Sequence, residues 1–260
     1  MRWLPLLALV ACGGSVASSD DAGADASDAN APKKDGAAPK DASLEAAVDT
    51  VPLDGRTVVS PNGTDLAQVE VCVFQRPELG CVTSGPDGSF TIGLPSNSET
   101  GVTLTRAGYA SVLVPLVVGS SPLKYTMGVP TAQGRTSLFA AFGAKYPDPA
   151  HGFVMLVGTL KGQSELDLDG ASATIDATSG TGPHYMDVNG NPDPAATSTS
   201  SYSMLFFANV DPGTYVAKLT PVTMSCFQNF GGWTTAQLNA TRFPVAAGFE
   251  THVGLACAKP

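Results

Sequence analysis

"VCVFQRPELGCVTSGPDGSFTIGLP", residues 71–95, decides the fold. With Val69 and Glu70 before it, the segment places Val69, Val71 and Val73 on one side of an extended chain and Glu70, Cys72 and Phe74 on the other. That period of two is the signature of a strand with one face buried. Arg76-Pro77-Glu78-Leu79-Gly80 turns the chain back to Cys81-Val82-Thr83, and Pro86-Asp87-Gly88 makes a second tight turn ahead of Phe90. Working outward, further strands are expected at 55–60, within 101–118 with a break at Ala107-Gly108, and at 123–127. Pro115 marks an edge strand or a bend.

The second half carries the same texture. Strands are expected at 152–160 and 170–177, two more around Asp211-Pro212-Gly213 within 201–222, and a closing pair within 241–257. The Gly/Pro/Ser/Thr-rich stretch 178–200 reads as a loop. Between the halves, Leu138, Phe139 and Phe142 recur at helical spacing, with Gly143, Pro147 and Pro149 beyond. They predict a short helix at about 135–143. The expected fold is all-β: two tandem β-sandwiches, 51–128 and 150–260, joined by a helical connector at 129–149.

Residues 71–95, followed by "LTRAGYASVLVPLVV" at 104–118, resemble the carboxypeptidase-regulatory-like, or transthyretin-like (prealbumin-like), sandwich domain. The marks are the valine-rich strand, the turn from Ser84 to Gly88, Phe90, and the later Gly108-Tyr109. In the second half, Phe207, Val210, Pro212, Gly213 and Tyr215 resemble the same pattern. The resemblance implies a carbohydrate-binding-like sandwich and no catalysis. The zinc peptidase that gives the family its name is a separate domain. Its H-x-x-E ligand pair is not met here, because Val154, Asp187 and Leu255 stand three residues after His151, His184 and His252.

The first fifty residues concern place. A basic start and a short apolar core describe a secretory signal over residues 1–11. Leu9-Val10-Ala11-Cys12 resembles the lipobox of bacterial lipoproteins, in which the cysteine is lipidated and becomes the new N-terminus. The other reading is an ordinary signal with a chance cysteine. Residues 12–50 then form a linker of Ala, Ser, Asp, Pro and Lys that cannot bury enough surface to offset ordering entropy, and disorder is expected. Gly13 stands where some bacteria place an aspartate that retains lipoproteins in the inner membrane, which leans towards the outer membrane. The expected location is therefore the cell envelope, with lipid at Cys12.

Beyond Cys12 there are four cysteines, Cys72, Cys81, Cys226 and Cys257. An exported chain favours disulfides. Pairing near neighbours in sequence, 72 with 81 and 226 with 257, would contribute about 3 and 4 kcal/mol by loop entropy. Four cysteines allow three connectivities, so other pairings stay open. Charge argues against nucleic acid: residues 13–50 and 51–260 each balance at −5, with no basic cluster.

Two polar or aromatic clusters stand out. Asp187, Asn189, Asn191 and Asp193 offer oxygens at every second position around Gly190, either as a plain hairpin turn or as a weak calcium site, the one cofactor in view. Phe230 and Trp233 flank Gly231-Gly232, either as core packing or as rings that stack on a glycan. No G-x-S-x-G elbow or phosphate-binding glycine loop is present. The reading is a non-catalytic, membrane-anchored lipoprotein whose sandwiches bind an envelope protein or glycan or serve as a structural module. The rival is a hydrolase with an unfamiliar site, which would need a deep cleft with convergent acids.

Overall fold

The computed structural model describes residues 48–160, 168–220 and 224–258. The signal segment, Cys12 and nearly all of the linker lie outside them. The first half holds β1 (Thr50–Ser60), β2 (Glu70–Val73), β3 (Cys81–Thr83), β4 (Ser89–Pro95), β5 (Ser98–Thr105), β6 (Val112–Val118) and β7 (Leu123–Pro130). Helix α1 (Ala132–Ala141) follows. The second half holds β8 (Gly152–Leu160), β9 (Ser172–Ile175), β10 (Thr181–Met186), β11 (Pro192–Asp193), β12 (Met204–Val210), β13 (Gly213–Thr220), β14 (Ser225–Gln228), β15 (Ala240–Val245) and β16 (Glu250–Ala258). Among the described residues the fold is all-β apart from that one short helix and a 3-10 turn at Pro77–Leu79.

In the first half, β1 pairs antiparallel with β4 and parallel with β7. This three-stranded sheet faces β6, β5, β2 and β3. The alternation read at 69–73 does what its period demands. Val69, Val71 and Val73 are buried with Leu53, Leu94, Leu104 and Val129, while Glu70 stays exposed. Each fully buried aliphatic side chain is worth about 1.5–3 kcal/mol. Phe90 sits directly opposite Gly55 across the β1–β4 ladder, and its ring occupies the space a Cβ at 55 would take. In the Pro86-Asp87-Gly88 turn, the Gly88 amide donates to the Gly85 carbonyl, and the Asp87 carboxylate accepts from the backbone amide and hydroxyl of Ser89. Gly88 has φ +75°, where side chains are disfavoured, and the Thr57 carbonyl leaves no room for one.

The second half is a three-layer body. β15, β13 and β9 form one sheet. It packs through Val154, Leu156, Leu205, Phe207, Phe243, Val253 and Leu255 against β10, β12, β8, β16 and β14. The opposite side of that larger sheet is covered by α1 and the segment after it, through Phe139, Tyr146, Phe153 and Phe206. Burial on both faces explains why β8 reads as an unbroken apolar run from Phe153 to Val157. Thr131 starts α1, its hydroxyl accepting from the Gly134 amide, so the helix begins about a turn earlier than the apolar spacing suggests. It stops before Gly143, at φ +75°.

Three local expectations change. The stretch 178–200 is not a simple loop: β10 crosses it, pairing with β12 through a bulge between Thr181 and His184. Gly180, Gly182 and Pro183 mask the strand in the sequence. The closing strands β15 and β16 do not pair with each other; β15 joins β13, and β16 runs parallel to β8. Ser225–Gln228, just ahead of Phe230, is an unexpected strand against β16 that joins Cys226 to Cys257. Cys72 and Cys81 are joined across β2 and β3.

The two halves meet inside one sheet. β16 pairs with β6 through two residues only, Glu250 opposite Val112 and Thr251 opposite Leu113. Pro115 has no N–H to extend that ladder. Its carbonyl instead accepts from the Gly232 amide at 3.0 Å. The result is a ten-stranded sheet running from β11 to β3 through both halves.

Candidate functional site

The polar side chains that are most deeply engaged gather where the halves join. Glu250, the first residue of β16, is fully buried. Arg135 of α1 reaches it from above, with Nε 2.7 Å from Oε2 and a terminal nitrogen donating to Oε1 at 2.7 Å. His252 Nε2 lies 2.9 Å from the same Oε1. Burial alone would push the Glu250 carboxyl up, but the Arg135 charge and the His252 hydrogen bond outweigh it and hold the carboxyl below its ordinary range. Burial, reinforced by the Glu250 charge, pushes the nearby Tyr146 phenol up. The Arg135 guanidinium also lies 5.2 Å over the Phe206 ring. The triad therefore fixes α1 to the strand that joins the halves. The sequence holds one sign of it: Glu250 and His252 stand two apart at the start of a largely apolar strand, hence on one face.

A second cluster lies on the other side of the junction. Glu99 of β5 accepts from the Thr234 amide at 3.0 Å and from its hydroxyl at 2.7 Å, and pairs with Arg242 of β15. Burial favours the neutral acid, but the Thr234 hydrogen bonds and the Arg242 charge prevail and lower the Glu99 pKa. Trp233 sits between these groups. Its indole N–H donates to the Thr100 carbonyl at 2.7 Å, and the Arg242 guanidinium stands 5.2 Å over its ring. Trp233 thus has a fixed orientation, and it lines an open groove of about 400 Å³. Phe74 and Gln75 border that groove from the first half, and Pro212, Thr214 and Pro244 from the second.

The structure separates the two aromatic residues read together in the sequence. Phe230 packs over Gly254 beside the helix layer, whereas Trp233 turns towards Thr100 and the groove. The four oxygen-bearing residues of 187–193 form a turn that closes on itself. Asp187 accepts from the Asn189 and Asn191 amides, each at 2.8 Å, and from the Asn191 side chain at 3.2 Å. Asp193 accepts from the Ala195 amide. The Asn191 hydrogen bonds foremost hold the Asp187 carboxyl below its ordinary value. Gly190, at φ +79°, makes the bend. His184 stacks on Phe142 at 4.6 Å, and burial lowers its pKa; its ring nitrogen contacts Thr181. His151 lies between Asp148 and Asp211 at 2.9 and 3.5 Å.

No protein-family model and no curated protein sequence matches the chain. Among solved structures, similar ones include the TIE protein of Bacillus anthracis, at 13% identity and a TM-score of 0.27, covering 81% of this chain and 34% of that one. This chain thus spans about a third of that protein. The minor pilin GBS52 of Streptococcus agalactiae is 12% identical with a TM-score of 0.28, covering 81% of this chain and 96% of its own. A variant of the shaft pilin SpaA of Lactobacillus rhamnosus GG is 14% identical with a TM-score of 0.25, covering 82% and 99%.

Proposed function

We propose that this chain is a non-catalytic module of the cell envelope, anchored by lipid at Cys12, with carboxypeptidase-regulatory-like sandwiches that present the Trp233 groove to a glycan. The lipobox-like Leu9-Val10-Ala11-Cys12 and the spacer support the anchor. One observation carries the ligand: an aromatic ring whose orientation is fixed by Thr100 and Arg242 forms part of a groove wall. Sugars stack on such rings through their apolar faces, while nearby amides and hydroxyls bond their edges. Gln75 and Thr214 are exposed beside Trp233 and supply both. The engaged acids support a module without chemistry, since Glu250, Glu99 and Asp187 are each held by neighbouring donors.

The test is a glycan array probed with the full chain carrying Cys12→Ser, followed by tryptophan-fluorescence titration of any hit. Binding should weaken at least tenfold in Trp233→Ala and less in Trp233→Phe. Equal binding by Trp233→Ala removes the groove from the proposal, and cleaved glycan in the mixture would favour a hydrolase. In cells, Cys12→Ser should leave the membrane fraction; retention there would overturn the anchor.

A further inference from the structure

The disulfide between Cys72 and Cys81 differs in setting from the one between Cys226 and Cys257. Cys257 is fully buried and Cys226 is 7% exposed, both inside the second core. Cys81 is exposed and Cys72 half-buried, on the outer face of β2 and β3. β3 is the last strand of its sheet, so nothing pairs beyond it among the described residues. The two cysteines stand directly opposite one another, with Cα atoms 4.2 Å apart. That is the close spacing of a non-hydrogen-bonded antiparallel pair. Glu70 lies two residues before Cys72, hence on the same face, and is exposed. One carboxylate oxygen of Glu70 and both sulfurs lie within 4.8 Å of one another. It is the one such cluster of three among the described residues.

We infer that this hairpin is a redox-gated cation site: the Cys72–Cys81 bond opens to a small dithiol reductant, and the freed thiolates, with Glu70, take a thiophilic divalent cation such as zinc or cadmium. The balance is simple. The dithiol gives two electrons and two protons, the Sγ–Sγ bond breaks into two thiols, and the reductant leaves as its own cyclic disulfide. Binding the cation then releases two protons, because the thiolate is the ligand. Access favours attack at this pair over the buried one. Reduction need not dismantle the site. β2 is also held to β5 from Glu70 to Val73 by a ladder that does not involve the sulfurs. The Thr105 hydroxyl donates to Glu70 at 3.2 Å and orients the carboxylate. Two sulfurs and one oxygen make three ligands, and water completes a tetrahedron. The softness of sulfur selects zinc or cadmium over calcium or magnesium.

The experiment uses the full chain carrying Cys12→Ser. It is treated with limiting dithiol, desalted without oxygen, alkylated in one aliquot for mass mapping and titrated with cadmium in another. Label should appear at Cys72 and Cys81 while Cys226 and Cys257 stay joined. One cadmium should bind per chain with a thiolate charge-transfer band, and untreated protein should show none. Glu70→Gln should weaken binding at least about tenfold, the loss that even an outer partner of a metal site can cause. A chain opened at Cys72 and Cys81 that binds no cadmium overturns the inference, as does the buried pair opening first. Equal affinity in Glu70→Gln overturns the assigned ligand set. This reading is independent of the groove: failure of glycan binding leaves it standing, and the reverse also holds.

Discussion

At the scale of single residues, Glu250 is the one buried carboxylate among those described. A carboxylate taken fully out of water is stable only beside its partners. Arg135→Ala removes its guanidinium partner and leaves only the His252 contact, and removing one partner of a buried pair costs about 3–5 kcal/mol. Chemical denaturation should show a loss of that size. The pH dependence follows from the sign of the shift. Glu250 titrates lower folded than unfolded, so its contribution is complete above the unfolded carboxyl value of about 4.3 and declines as pH falls through the folded value. The melting temperature should therefore drop in acid, and Glu250→Gln should flatten part of that drop while lowering stability near neutrality. An unchanged acid limb in Glu250→Gln would assign the acid sensitivity elsewhere. The Arg135–Glu250 pairing was not legible in the sequence, since the two are 115 residues apart; only the spacing of Glu250 and His252 gave a sign of the cluster. Trp233 was visible as a residue, but its direction was not. The contacts that aim it, Thr100 and Arg242, come from different halves of the chain.

At the scale of elements, strands with one solvent face announced themselves and the others did not. β2 and β4 alternate because one side packs and the other meets water. The start of β1 was hidden by Pro52 and Asp54, poor strand formers held in place by the ladder to β4, which Asp54 shares with β7. β10 was hidden by Gly182 within it and Gly180 just before it, which tolerate close approach to the backbone of β12. The pair Gly55 and Phe90 shows how one strand fits the next. Gly55→Ala would drive a methyl into the Phe90 ring and should destabilise by about 1–3 kcal/mol. Gly119→Ala, at an exposed glycine with open space around it, should stay within about 0.5 kcal/mol. Thermal melts of the two variants check this, and a neutral Gly55→Ala would mean that the ring can move aside.

At the scale of the whole described body, the all-β class and the repeated texture of the halves could be read from strand spacing, but their connection could not. Two rungs between β6 and β16, the Gly232 amide on Pro115, Trp233 on Thr100, and Glu99 with Thr234 and Arg242 all cross from one half to the other. Each link is small, and together they make separate melting of the halves costly. Calorimetry should show one transition whose calorimetric and van't Hoff enthalpies agree. Two resolved transitions would mean that 51–128 and 150–260 are independently stable bodies.

The position of β16 sets an order of events. The strand that lies between β8 on one side and β6 and β14 on the other follows all the other described strands in chain order. Until residues 250–258 arrive, the second core has no middle and α1 has no anion to dock against. A nascent polypeptide of this design cannot complete its second core until residues 250–258 are available, and then closes from the centre outward. Nonsense truncation ahead of Glu250 should accordingly yield protease-sensitive material even though most of the strands are already present.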